Sequence, residues 1–226
     1  MNEMHPRRGD WNCSVSWSWD KSAIRALARR RRILLMTAAG ADAIAAALTR
    51  VPGPSRVDVV PDKPGSYAWW VTTDHLADSY PPIPLEEERI AGWTLVYVGI
   101  APDRLGGRRT LRSRIAKDHT GGTIGNSTFR QSMASLFRDH LGLVPLSGYD
   151  RSRVVDERPL TEWLSAHCGL TTIEMDAPWL YEERVIATLG PPLNIKHGTH
   201  PFRHVVSAAR EQLRRDCGVI ERPLRS

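Results

Sequence analysis

Several polar side chains stand where the neighbouring residues predict buried structure. Tyr67 lies two residues after a glycine in "GSYAWWVTT", and Tyr97 lies two residues before one in "WTLVYVGI". In "WLYEERVIATLGPPLN", a helical wheel of about 100° per residue places Glu182 in the middle of an apolar stripe. A carboxylate can hold a divalent cation against a phosphate, a tyrosine can deprotonate water, and an arginine can stabilise negative charge. Together these residue types indicate metal-assisted hydrolysis of a phosphodiester.

Arginines are concentrated in one part of the chain. Residues 104–130 carry seven Lys and Arg against Asp118 alone, whereas residues 74–90 carry five Asp and Glu against Arg89 alone. Residues 1–50 hold 9 basic and 4 acidic residues, and residues 51–226 hold 22 and 21. Such a patch suits phosphate, but a solvated arginine-rich face fits it as well. Charge alone leaves the two interpretations even.

Strands and helices alternate without a strict βαβ rhythm. Alternating patterns predict strands at 65–73 and 93–100, with Leu95 and Tyr97 on one face of the second and Val96 and Val98 on the other. A third strand is expected at 170–175. Helices are expected at 22–49, 110–119, from Ser127 or Thr128 to Leu141, 160–167, 179–189 and 203–216. The pattern predicts an α+β fold, a small antiparallel sheet of about three strands flanked by helices.

Length and composition limit the classes of protein that fit. The chain of 226 residues is expected to form a basic N-terminal extension, 1–50, and one domain, 51–226, with an insertion near 74–92. No apolar run is long enough to cross a membrane. Three widely spaced cysteines predict neither a disulfide framework nor a zinc site, and they favour a reducing cytoplasm.

Taken in order, these motifs resemble the GIY-YIG nuclease family over about residues 60–200. "PGSY" stands where the family has its first tyrosine motif, "YVG" where it has Tyr-Ile-Gly, and "LRSRIAKDH" resembles its arginine helix. "EERVIATLGPPLN" is similar to the family's pattern of Glu, Leu-Ile, Pro and Asn. No single motif is specific for the family. Five motifs in the right order, with a matching interval from Glu to Asn, are hard to produce by chance. "GGTIGNSTFR" and "AWW" resemble an uncharacterised subgroup.

The resemblance implies a catalytic set. Tyr67 and Tyr97 flank the water and phosphate, one of them as general base; Arg114 stabilises the transition state; and Glu182 binds Mg²⁺, with Mn²⁺ as a substitute. The resemblance also implies that His119 assists and that Asn194 supports the site. The family often has a histidine or tyrosine one turn after the arginine, whereas this chain has Asp118 at that spacing and His119 one residue later. Nine further residues are expected to contact DNA: Arg104, Arg108, Arg109, Arg112, Lys117, Ser127, Thr128, Arg130 and Lys196.

Each assignment has a structural alternative. Glu182 could pair with a buried arginine, the tyrosines could be half-buried strand residues, and Asn194 could cap the turn after the prolines. The start of the helix at Ser127 could be an ordinary capped terminus rather than a phosphate site.

The sequence therefore predicts a magnesium-dependent DNA endonuclease in the cytoplasm, with no membrane partner. Restriction, defence and repair are the pathways open to it, and a homodimer would supply the second site that double-strand cleavage needs. The alternatives are a nucleic-acid-binding module on the same fold without cleavage, and a structural adaptor.

Overall fold

The computed structural model of the protein describes residues 39–54, 57–84 and 89–219. Its sheet is antiparallel throughout, with the strand order β1-β5-β2-β4-β3. The three long inner strands confirm the predicted sheet, and the two edge strands are two-residue pairs too short to show a period. The strands are β1 Gly53–Pro54, β2 Gly65–Thr72, β3 Arg89–Ile90, β4 Trp93–Ala101 and β5 Cys168–Glu174.

Six α-helices surround the sheet in the described part of the chain. They are α1, described over residues 39–48, α2 Leu111–Arg114, α3 Thr128–Leu136, α4 Arg158–His167, α5 Glu182–Leu189 and α6 Arg203–Asp216.

Three of the expected helices differ in form. The one expected at 179–189 is a 3₁₀ turn, Pro178–Leu180, followed by α5. The one expected at 110–119 begins as α2 and widens into a π-helix over Ile115–Thr120, a distortion often found at functional sites. The one expected to reach Leu141 ends at Leu136, and its N-cap is Ser127, whose side chain accepts the backbone N–H of Arg130. Residues 22–38 of the predicted N-terminal helix lie outside the described residues.

The sheet is covered on both faces. Trp69 packs in a core beneath α3, α4 and α6, and Trp70 packs on the opposite face against α1 and α5. The alternation of the β2 sequence thus assigns its two tryptophans to separate cores. Ala41, Ile44 and Leu48 of α1 belong to the second core.

A β-bulge corrects the predicted faces of β4. Trp69 pairs with Tyr97 but Trp70 pairs with Leu95, so Val96 is an extra residue in the ladder. As a result Val96 and Tyr97 both enter the Trp69 core, and Leu95 and Val98 enter the other. The bulge therefore separates Leu95 from Tyr97, which strict alternation had placed on one face, and Tyr97 shares the face of its partner Trp69 and of Tyr67.

Residues 74–92 connect β2 to β4. A 3₁₀ helix, Thr73–Asp78, follows β2, and β3 returns the chain to the edge of the sheet. The described residues of this excursion return to the sheet at the Trp93 end of β4, while Gly99 and Ala101 lie at the other end of that strand.

Candidate active site

The structure brings four of the predicted catalytic side chains to one cleft. Tyr67, Tyr97, Arg114 and Glu182 line a cavity of about 100 Å³ at the C-terminal end of β4. The two tyrosine rings are 6.5 Å apart, centroid to centroid. Residues far apart in the chain thus meet at a volume that can admit a phosphate group.

The Tyr67 hydroxyl is held by His119. Its oxygen lies 2.6 Å from His119 Nε2, and His119 Nδ1 lies 2.8 Å from the Ser127 hydroxyl. Burial, with the charges of Arg114 and other arginines, lowers the pKa of His119 well below its usual value, so the ring is neutral at pH 7. His119 is fully buried and does not line the cleft, so its contact with the site passes through Tyr67.

Both tyrosines keep their protons in the unliganded protein. Burial raises the pKa of Tyr67, and the neighbouring Tyr97 raises it further. Burial also raises the pKa of Tyr97, whose hydroxyl lies 3.0 Å from that of Thr128. The Arg114 charge opposes both shifts without cancelling them. Either phenol therefore becomes a base only when a positive charge or a proton acceptor is brought to it.

Arg114 is anchored from the π-helix. Its Nη1 atom donates to Asp118 Oδ2 at 2.7 Å, and Arg109 contacts the same oxygen. Burial disfavours the charged form of Arg114, but the Tyr67 and Asp118 contacts outweigh it and raise the pKa. The guanidinium is therefore a fixed positive charge beside the tyrosines.

Glu182 is the first residue of α5, and its side chain is 22% exposed. Among the described residues it pairs with Lys196, whose Nζ lies 3.9 Å from Glu182 Oε2. No arginine within ion-pair distance neutralises Glu182 among the described residues, so the structure does not support the alternative in which a buried arginine pairs with it. Glu183, one residue on, is 80% exposed.

Asp103 is a cleft residue that the sequence analysis missed. It lines the same cavity as Glu182, from the loop that follows β4. The sequence offered no periodic signal for it, because loop residues are positioned by the fold rather than by a pattern. No cluster of three or more His, Cys, Asp or Glu able to hold a metal occurs in the described ranges. Glu182 and Asp103 are thus the carboxylates of the cleft.

Asn194 braces β4 and is absent from the lining of the 100 Å³ cleft. Its Oδ1 atom accepts the Val98 N–H and its Nδ2 atom donates to the Val98 carbonyl, both at 2.9 Å. The preceding Leu193 N–H donates to Val96 at the bulge. This segment therefore fixes β4 on either side of Tyr97. An asparagine that only capped the turn after the prolines would make no such contacts with β4.

The expected DNA contacts fall into two groups. Ser127 and Arg130 are buried, so neither is placed to bind DNA: Ser127 bonds His119, and Arg130 pairs with Glu157. This burial removes the Ser127 and Arg130 side chains from the expected DNA contacts, because a side chain with no accessible surface cannot reach a phosphate. The other seven are exposed: Arg104, Arg108, Arg109, Arg112, Lys117, Thr128 and Lys196. Of these, Arg109 also lines the cleft, and Arg112 donates to the Val60 carbonyl.

Gly99 makes the close packing of Tyr67 possible. A Cβ atom on Gly99 would lie 2.3 Å from the Tyr67 hydroxyl oxygen. A Cβ on Gly65 would lie 2.1 Å from the Ile173 carbonyl oxygen. The glycines beside the two tyrosines are therefore required by close approach, as the sequence suggested.

Replacing Gly99 by alanine is expected to destabilise the protein by about 1–3 kcal/mol, because Tyr67 must move within a packed core. Thermal unfolding measures the change. Gly53→Ala is the matched control, since its Cβ would meet nothing closer than 3.9 Å. In a Tyr67→Ala background the same Gly99 change should cost much less, and an equal cost there would contradict a clash with Tyr67.

The fold and cleft define a class: an α+β domain with paired tyrosines, an arginine and a carboxylate at one end of an antiparallel sheet. Residues 65–216 match the family described as the GIY-YIG catalytic domain. The chain belongs to this family, and membership implies nuclease activity. No curated protein and no solved structure matches the chain significantly. Among the described helices, none has the length and apolar character to cross a membrane.

Proposed function

We propose that this protein is a Mg²⁺-dependent endonuclease that hydrolyses phosphodiester bonds of DNA. The observation that carries the proposal is the meeting of Tyr67, Tyr97, Arg114 and Glu182 on one cleft of a GIY-YIG domain. Loss of activity in such a domain would be expected to remove one of these groups, and all four are present. A module that only binds nucleic acid is therefore the less favoured function.

The donors in the cleft fit a weakly held magnesium ion. Mg²⁺ keeps most of its water shell and commonly takes one or two protein carboxylates together with substrate phosphates. Glu182 and Asp103 meet that requirement, Glu182 as the principal ligand. The bound ion would polarise a phosphate oxygen and favour negative charge in the cleft.

Tyr67 is our candidate for the general base. Neutral His119 offers Nε2 as an acceptor, so the Tyr67 hydroxyl can donate to it and direct a lone pair toward the cleft. When Tyr67 takes a proton from the attacking water, its own proton can pass to Nε2. Tyr97 contacts Thr128, whose hydroxyl can accept a hydrogen bond but is a much weaker base than a neutral imidazole nitrogen. That difference separates two tyrosines which the sequence left equivalent.

Arg114 has the role of charge stabiliser. Asp118 fixes it by a hydrogen bond of 2.7 Å, so it need not reorganise as negative charge builds on the phosphate. The exposed basic residues between Arg104 and Lys117 would contact the flanking DNA backbone. One chain holds one such cleft, so cutting both strands would take a homodimer or two visits. We place the enzyme in the cytoplasm, in restriction, defence or repair.

Plasmid nicking tests the proposal. Wild-type protein with Mg²⁺ is expected to convert supercoiled plasmid to the nicked form, and EDTA should stop it. Tyr67→Phe should lower the nicking rate by roughly 10²–10⁴-fold, the usual contribution of a general base. Retention of DNA without nicking by the wild type, on varied substrates, would favour the binding module. Equal nicking by both proteins would overturn the role of Tyr67.

A further inference from the structure

A second, larger cavity opens beside the catalytic cleft. Its volume is about 400 Å³, within the usual range for small-ligand sites. Four residues line both cavities, so the two adjoin: Tyr97, Asp103, Arg114 and Glu182. The larger one extends between β4, α3, α5 and α6, and its remaining lining residues include Ile186, Leu193, Ile195, Lys196 and Arg210.

Arg210 is the unusual residue of this cavity. It lies half-buried on α6, and its guanidinium donates to the Gln131 side chain. No carboxylate lies within ion-pair distance of it in the described part of the chain, whereas Arg214 and Arg215 on the same helix both pair with Glu211. A guanidinium carries five N–H donors in a planar fork that matches a phosphate. Arg210 thus offers an unneutralised fork to the cavity.

The other walls suit the rest of a nucleotide. Ile186 and Leu193 provide an apolar side, with the half-buried Ile195 next to them. Lys196 stands at the opening with its side chain 79% exposed, free to leave Glu182 for a phosphate. Apolar walls with a few polar groups are typical of sites that bind a sugar and base.

We infer that this cavity holds the nucleotide next to the scissile phosphate, with its flanking phosphate bound by Arg210. The inference rests on the proposed nuclease function and adds a second phosphate position to it. Arg114 would then contact the scissile phosphate and Arg210 the neighbouring one. Tyr97 lines both cavities and would lie between the two positions. Arg210 is accordingly a substrate-binding residue and takes no part in proton transfer.

Binding to DNA provides the first test. With Glu182→Gln as an uncleaving background, adding Arg210→Gln should weaken DNA binding by about tenfold, as expected for a lost hydrogen bond to a charged group. The magnitude of the slope of log affinity against log salt concentration should decrease by about one, as expected for the loss of one phosphate contact. Arg215→Gln is the matched control, on the outer face of α6 and paired with Glu211, and should change neither. Equal effects from both changes would mean that Arg210 affects binding only through the net charge of the protein, which would overturn the inference.

Neutral linkages provide the second test. The position cut by the wild type is mapped on an oligonucleotide, and methylphosphonates are then placed one at a time. In the Glu182→Gln background, one linkage adjacent to the scissile one should weaken binding by about tenfold. That linkage should cost nothing further once Arg210 is glutamine, and Arg210→Lys should give an intermediate loss. No sensitive neighbour, or one unaffected by Arg210, would overturn the inference.

The outcomes separate the two proposals. If the wild type does not nick DNA but Arg210→Gln selectively weakens binding, the phosphate position stands and the catalytic function fails. If nicking occurs and Arg210→Gln binds as its control does, the nuclease stands and the second position fails. Circular dichroism and thermal unfolding of each variant exclude misfolding as the cause. The scan of the Glu182→Gln protein needs no change at Arg210, so it tests the position even if the Arg210 variants do not fold.

Discussion

Glu182→Gln is expected to abolish Mg²⁺-dependent nicking, lowering the rate by at least about 100-fold. Glutamine has almost the same shape but carries no charge, so it is a poor ligand for a hard cation that is held by few protein groups. Changing a residue that only supports a metal ligand typically costs about 10–100-fold. A loss at or above that range is expected for Glu182, because Glu182 and Asp103 are the carboxylates that line the cleft. Single-turnover nicking of plasmid by folded variants measures the loss.

Glu183→Gln is the matched control. Glu183 lies in the same first turn of α5, but its side chain is 80% exposed and does not line the cleft. Both changes remove one negative charge from a helix N-terminus, where such a charge contributes about 0.3–1 kcal/mol, so their effects on folding should match. DNA binding should survive in both. Nicking by Glu182→Gln at the wild-type rate would place the metal elsewhere and overturn the proposed site.

Asp103→Asn separates the two carboxylates. If Asp103 helps to hold the ion, its loss should raise the Mg²⁺ concentration needed for half-maximal nicking while leaving activity at saturating Mg²⁺. An unchanged Mg²⁺ dependence would leave Glu182 as the single protein ligand of the proposed metal site.

The long strands and the residues of the cleft were accessible from sequence because each depends on a local signal. Alternation in "GSYAWWVTT" and "WTLVYVGI" predicts β2 and β4, and glycines two residues from each tyrosine indicate close backbone approach. The structure gives those glycines a steric reason, since a Cβ on Gly99 would collide with Tyr67. Local pattern and tertiary packing agree at these positions.

The features that sequence could not supply depend on long-range contacts. The bulge at Val96 is set by pairing with β2 and by the Leu193 N–H, which comes from far along the chain. Arg210 acquires its significance because α6 carries it to a cavity whose other walls come from β4 and α5. Arg130 looked like a surface arginine in a basic run, yet it is fully buried. Its partner Glu157 lies 27 residues away along the chain, so no local pattern could pair the two. Charge runs do not distinguish buried members from exposed ones.

The burial of Arg130 connects the core to the catalytic cleft. Its Nη1 atom donates to the His119 carbonyl at 3.0 Å, and its Nη2 atom donates to Glu157 at 3.0 Å and to Thr161 at 2.9 Å. Glu157 in turn accepts the Ile124 N–H. The arginine therefore holds the end of the π-helix that carries His119, and through His119 it fixes the Tyr67 hydroxyl. We assign Arg130 a positioning role.

Arg130→Met is accordingly expected to destabilise the protein by about 3 kcal/mol, the lower end for breaking a buried ion pair, because Glu157 is 18% exposed and retains some hydration. Thermal unfolding should show a decrease in Tm of roughly 6–12 °C for a chain of this size. Arg158→Met is the control: its side chain is 84% exposed and pairs with Asp156 on the surface, so the change should stay within about 0.5 kcal/mol.

A double variant distinguishes an uncompensated charge from lost packing. Adding Glu157→Gln to Arg130→Met removes the stranded carboxylate while keeping an acceptor for the Ile124 N–H, so part of the stability should return. The nicking rate should remain low in the double variant, because the His119 carbonyl still lacks its donor and Tyr67 is less well fixed. Stability and activity that recovered together would mean that Arg130 acts on the site only through folding, whereas recovery of stability alone would support its positioning role.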